Sequence, residues 1–105
     1  MTDQRRRISA VGMAWYRAEP FGDVRAMMTD AEKLPATFEK FLYAAMKGEE
    51  KLRRAGHAVI RVHLDADEFP AFCRARGLDV DAHGRMEYAA FVAARTVQAD
   101  GGSNA

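Results

Sequence analysis

Between His57 and Leu64 the apolar residues Ala58, Ile60, Val62 and Leu64 alternate with His57, Val59, Arg61 and His63. That is the period of a strand with one apolar and one largely polar face. Asp65 with Glu68 three residues later reads as a capping box, so a helix starts at once, and Leu64 and Phe69 sit where a hydrophobic staple would hold it. The helix runs through Arg76 and stops at Gly77. Pro70 conflicts with Asp65 as N-cap, because it would fall after the first turn and remove a helical hydrogen bond. With Asp67 as N-cap, Pro70 sits at N3, where no intrahelical donor is needed. The capping box favours Asp65, with some distortion at Pro70.

The same patterning predicts the remaining elements. Ile8–Tyr16 reads as a strand with Val11, Met13 and Trp15 on one face and Ala10, Gly12, Ala14 and Tyr16 on the other. Both faces are apolar enough to be covered, and Gly12 marks a weak point or a close backbone approach. Pro20 suits the first turn of a short helix whose Phe21, Val24 and Met28 face the core. After a polar TDAEK connection, Pro35 opens the longest helix, about 35–55, ended by Gly56 as a left-handed cap. Its core stripe is Phe38, Phe41, Leu42, Ala45 and Leu52, with Glu39, Lys40, Lys47, Glu50, Lys51 and Arg54 solvated. Glu49–Arg53 and Glu50–Arg54 are i,i+4 pairs in the favourable order, and Gly48 is a candidate helix crossing. A last helix, about 81–98, begins near Asp79 or Asp81. It is apolar at Met86, Ala89, Ala90, Ala93 and Val97, with Tyr88, Phe91 and Val92 widening the surface to two sides.

The expected architecture is therefore a small α+β domain, mostly helical, in the order β-α-α-β-α-α. The globular part spans 8–98, with a basic arm at 1–7 and a flexible tail at 99–105. A two-stranded sheet is not robust alone, and its edge is expected to extend by pairing with a second copy. The connection between the strands is long enough for a parallel crossover.

Composition narrows the function classes. At 105 residues the chain buries about 65% of its unfolded surface, enough for one core without staples. Sixteen basic against fifteen acidic side chains leave a formal charge of +1, which gives no global pull toward nucleic acid or anionic membrane. The longest apolar runs, Ala10–Tyr16 and Tyr88–Ala94, are seven residues each, against the ~20 needed to span a bilayer. Arg5-Arg6-Arg7 before ISAVGMAWY has the outline of an export signal, but the apolar piece is short and rich in strand formers. The single cysteine, Cys73, excludes an internal disulfide and fits a reducing cytoplasm.

Candidate chemistry is sparse. Cys73 shares a helical stripe with Phe69 and Phe72 and reads as a buried structural thiol. His63, Asp65, Asp67 and Glu68 form the one plausible metal cluster, yet Asp65 and Glu68 are already used in capping, so no metal and no cofactor are expected. An EF-hand fails, because counting from Asp65 the sixth residue is Pro70 and the twelfth Arg76. His83 and Glu87 fit a solvated helix face. Phosphate-loop and nucleophile-elbow motifs are absent. Arg61 and His63 on the polar strand face, with Tyr16 and Arg17, are the candidate ligand-binding residues.

The strings AWYRAEPF (14–21), KLPATFEKFL (33–42) and RVHLDADEFPAFC (61–73), with RARGLDVDAHGRMEYA (74–89), resemble a family of small uncharacterised bacterial proteins. Those share an AWYR-type strand end, an LP-x-T helix start and an R-V-x-x-D-x-x-E-F-x-x-x-C segment. The resemblance covers about residues 8–95 and implies one compact domain, with no activity to carry over. The leading expectation is a non-enzymatic cytoplasmic interaction or accessory protein that self-associates, with room for a further protein partner. The second is a small enzyme or ligand-binding protein holding an anionic small molecule near Arg61 and His63. Nucleic-acid binding comes third, by Arg61 with Trp15 and Tyr16 as a stacking platform.

Overall fold

The computed structural model describes residues 9–104. In chain order these form β1 (Ser9–Trp15), α1 (Phe21–Ala26), a 3-10 turn (Ala31–Lys33), α2 (Phe38–Arg54), β2 (His57–His63), α3 (Glu68–Arg76) and α4 (Ala82–Asn104). The expected α+β order is the one observed. The basic arm at 1–7 and Ile8 lie outside the described residues. Helix α4 continues to Asn104, into the stretch the sequence assigns to a tail.

β1 and β2 pair in parallel, with Ser9 opposite His57 and Trp15 opposite His63. Their connection carries α1 and α2 and is the crossover a parallel pair requires. Helix α4 lies on the sheet face that carries Gly12, and α2 lies on the face that carries Met13 and Trp15. The core joins Trp15, Tyr16, Phe21, Val24 and Phe41 to Val62, Leu64, Phe69, Tyr88 and Ala89. On the α2 side it is mainly aromatic: Phe41 packs edge-on to Trp15 at 5.5 Å and to Tyr16 at 4.8 Å. Edge-to-face rings at such distances add to the apolar area they bury.

Several boundaries differ from expectation for local reasons. Helix α2 starts at Phe38, not Pro35, because the Thr37 hydroxyl accepts a hydrogen bond from the Lys40 amide at 3.2 Å and caps it. Gly56, at φ 97°, ends the helix as expected, and Gly77, at φ 68°, ends α3. Helix α3 begins at Glu68, so Pro70 stands at N3 and costs no hydrogen bond. Asp65 still caps it from outside: its Oδ1 accepts from the Asp67 and Glu68 amides at 2.8 and 2.7 Å. Asp81 does the same for α4, accepting from the Gly84 amide at 3.1 Å. Gly48 marks no helix crossing. A Cβ there would meet the Met13 methyl at 3.4 Å, an ordinary contact with the strand below.

Gly12 is the close approach. A Cβ at this position would overlap the Ala89 carbonyl oxygen and lie 2.8 Å from the Ala93 Cβ. Both are on α4, and both residues are buried. Only a residue without a side chain lets the helix backbone rest on the strand. Gly12→Ala is therefore expected to destabilise the fold by about 2 kcal/mol or more, the usual scale of overpacking. Gly22 has open space around it and no left-handed backbone, so Gly22→Ala should be neutral or stabilise by up to about 1 kcal/mol. Urea denaturation of the two variants decides the matter, and equal losses would contradict the packing described.

Candidate functional site

The two parallel strands end side by side at Trp15 and His63, and the Leu64 amide donates to the Trp15 carbonyl at 3.0 Å beyond the last pair. From this common end the chain delivers Tyr16 and Arg17 on one side and Leu64 and Asp65 on the other. The space outside the carboxyl ends of parallel strands is where open α/β sheets commonly bind ligands. Here it holds a hollow of about 180 Å³ walled by Tyr16, Phe21, Val24 and Leu64, with Arg17 and His63 at its margin. Those two residues and Asp65 also border a wider cleft of about 610 Å³, which Arg61, Glu68 and Arg95 reach from β2, α3 and α4.

Of the four residues singled out from sequence, Tyr16, Arg17 and His63 meet at the hollow, and Arg17, Arg61 and His63 meet at the cleft. Their states differ. Tyr16 is buried against Phe21 and Phe41 and anchors the core. Its hydroxyl has no hydrogen-bond partner among the described residues, and burial pushes its pKa up. Arg17 is exposed, with no ion pair or hydrogen bond among the described residues. His63 is half-buried.

Arg61 is not the free cation that a solvated polar strand face implies. Helix α2 covers that face and meets it with Glu49, which is 3% exposed. The Arg61 Nε and Nη2 donate to the two Glu49 carboxylate oxygens, each at 2.7 Å, in the fork geometry that suits this pair. Arg53 adds a contact at 3.3 Å to the same carboxylate. The Arg61 guanidinium also lies 4.0 Å from the centre of the Trp15 ring, a cation–π distance. Two of its five N–H donors are therefore committed to holding α2 on the sheet. The i,i+4 pairing of Glu49 with Arg53 carries no sign of burial in the sequence. The spacing of Glu49, four residues beyond Ala45 on the core stripe, is the signal that would have placed it inside.

A second bidentate pair joins distant parts of the chain. Arg85 on α4 donates to both carboxylate oxygens of Asp30 at 2.8 and 2.9 Å. The Asp30 carboxyl is held below its ordinary range by these hydrogen bonds, as Glu49 is by those from Arg61. For His63, burial is the largest influence and the Arg17 and Arg61 charges add to it; all three lower its pKa and favour the neutral ring. Asp65 is held ionised by the two amides it caps.

These groups can recognise charge, and they form no nucleophilic machinery. Cys73 is 1% exposed, and burial raises its pKa, which keeps it a thiol. Among the described residues no group of three or more His, Cys, Asp or Glu side chains is placed to hold a metal ion. No helix among them is long and apolar enough to cross a membrane. Arg95 was not singled out from sequence. It stands one turn beyond Phe91, its guanidinium 5.5 Å from that ring, and only the α4–β2 packing brings it to the cleft.

A second surface lies at the opposite margin of the sheet. β1 pairs with β2 alone, so its other edge is unpaired among the described residues. Beside it runs an apolar groove of about 520 Å³ formed by Ala10 and Gly12 with Met86, Ala90, Ala94 and Val97 of α4. Met86 and Val97 are 59% and 45% exposed. Comparison with protein-family models, with curated proteins and with solved structures gives no match.

The titrating groups fix the sign of the acid response. The folded state disfavours protonation of His63, so that stabilisation is complete above the ordinary value of 6.5 and is lost as pH falls from there toward the lower folded value. The carboxylates of Glu49 and Asp30 contribute fully above their ordinary values of 4.5 and 3.8, and lose that contribution as pH falls further. Denaturation measured at successive pH values should show two descending steps on acidification. His63→Gln should remove the upper step alone. An unchanged profile in that variant would contradict the placement of His63.

Proposed function

We propose that the protein is a non-enzymatic interaction protein that self-associates through the free edge of β1. One observation carries this reading: a seven-residue strand with no charge and no proline, unpaired along one side and flanked by an exposed apolar groove. Natural edges of this kind are usually blunted by charge, proline or a bulge. None of these devices occurs between Ser9 and Trp15.

The occupant that fits is a second copy of the chain. In a parallel ladder alternate residues turn both backbone groups toward the neighbour. The Trp15 carbonyl accepts from β2, so Val11, Met13 and Trp15 face inward, while Ala10, Gly12 and Ala14 direct their N–H and C=O outward. This outward set is symmetric about Gly12. Antiparallel pairing on a twofold axis there sets Gly12 against Gly12 of the partner and Ala10 against Ala14 of the partner. Each such pair exchanges both hydrogen bonds. The sheet grows to four strands, large enough to be robust, and the exposed line Met86, Ala90, Ala94 and Val97 comes to the interface.

The remaining parts of the reading are of the same kind. A reducing cytoplasm suits a lone buried thiol, and the assembled sheet could serve as a platform for a further protein partner. The resemblance to small bacterial single-domain proteins fits an accessory role of this type.

Light scattering coupled to size exclusion, across a range of concentrations, tests the assembly. The unaltered chain should elute with twice its own mass. Ala10→Pro removes one outward N–H, and Met86→Glu places a charge in the groove. Either change should shift the chain to monomer without loss of its helical circular dichroism. A chain that is monomeric throughout, or a dimer indifferent to both changes, would overturn the reading.

A further inference from the structure

We propose that the hollow outside the carboxyl ends of β1 and β2 is a binding site for a small organic acid, one with a single carboxylate and an apolar body about the size of one ring. The inner walls are apolar, from Phe21, Val24 and Leu64 with the ring of Tyr16. A volume of about 180 Å³ exceeds the ~150 Å³ apolar space known to take one benzene molecule. The mouth carries the charge.

The sign of that charge follows from what is already engaged. Asp65 also lines the hollow and is ionised, but its Oδ1 accepts from the Asp67 and Glu68 amides at the start of α3, where the positive end of the helix offsets its charge. Arg61 is matched by Glu49. Arg17 has no carboxylate partner among the described residues, and Arg95, across the cleft, has none either. Asp65 and Glu68 are the opposing carboxylates without an ion pair among the described residues; Asp65 is spent on the α3 amides, and Glu68 borders the open cleft but not the hollow. An anion at the mouth therefore meets Arg17 as its unspent fork, the arrangement that suits bidentate carboxylate binding. His63, flanked by Arg17 and Arg61, is the reporter. A bound carboxylate offsets the two guanidinium charges and favours the protonated ring.

The site is independent of the β1 edge, so it can be tested on the assembled protein. Nuclear magnetic resonance titrations with benzoate, benzyl alcohol and inorganic phosphate separate the contributions of head and body. Benzoate should give saturable shifts at His63, Leu64 and Ala66 and raise the pKa of His63. Benzyl alcohol and phosphate should each bind more weakly by about tenfold or more, the scale of losing a charge-assisted hydrogen bond or the apolar contact. Arg17→Gln should weaken benzoate by a similar factor. Ala66→Phe, at an exposed lining position, should obstruct the hollow while leaving the thermal midpoint in place. The proposal is overturned if benzoate gives no saturable shift, if phosphate or benzyl alcohol binds equally well, or if both variants bind benzoate as the unaltered chain does.

Discussion

Everything in this small fold depends on how closely α4 can lie on β1. Two strands expose too much of their surface to stand alone, so the sheet must be covered on both faces. Gly12 lets the α4 backbone at Ala89 rest directly on the strand, and Ala93 fills the adjoining space. The small residues that allow this leave the flank of the helix beside the β1 edge, at Met86, Ala90, Ala94 and Val97, without a covering layer. The constraint that builds the core beneath α4 thus leaves the exposed groove along its flank.

The opposite face is held by a different force. There α2 meets the sheet through aromatic rings around Phe41 and through the Glu49–Arg61 fork. A buried carboxylate costs desolvation energy, and the pair is only as favourable as its geometry is good. Its short, two-pronged contact is of the kind that fixes orientation. The Asp30–Arg85 pair does the same between the turn after α1 and the start of α4. The two forks set the register of the helices against a sheet too small to set it by area alone.

The parts of the fold visible in sequence are those with local causes. The alternation through Ala58, Ile60, Val62 and Leu64 gives β2, and Gly56 and Gly77 give two helix ends through their left-handed backbone. The start of α3 was only half visible. Asp65 does cap the helix, but from outside it, and the chain takes an extra step before Glu68 so that Pro70 falls where no donor is lost. What stayed hidden depends on distant pairs. Arg61 and Glu49 are 12 residues apart and Arg85 and Asp30 are 55 apart, so nothing local marks them as partners. Tyr16, Arg17 and His63 were picked out from sequence, and the parallel pairing brings them to one hollow. Arg95 depended on the placement of α4 and could not be.

Function, in this account, follows from two of the places the covering helices leave open: the outer edge of β1 and one sheet end. The edge carries the central claim, that a second copy completes the sheet. Amide hydrogen exchange resolved by residue addresses it most directly, because the ladder makes the residues of β1 alternate. Val11 and Met13 donate to β2 and should be protected in any state of assembly. The account predicts that the amides of Ala10, Gly12 and Ala14 are also protected at concentrations where the chain pairs, and lose that protection on dilution. Fast exchange at Ala10, Gly12 and Ala14 beside protected Val11 and Met13, at every concentration, would contradict it.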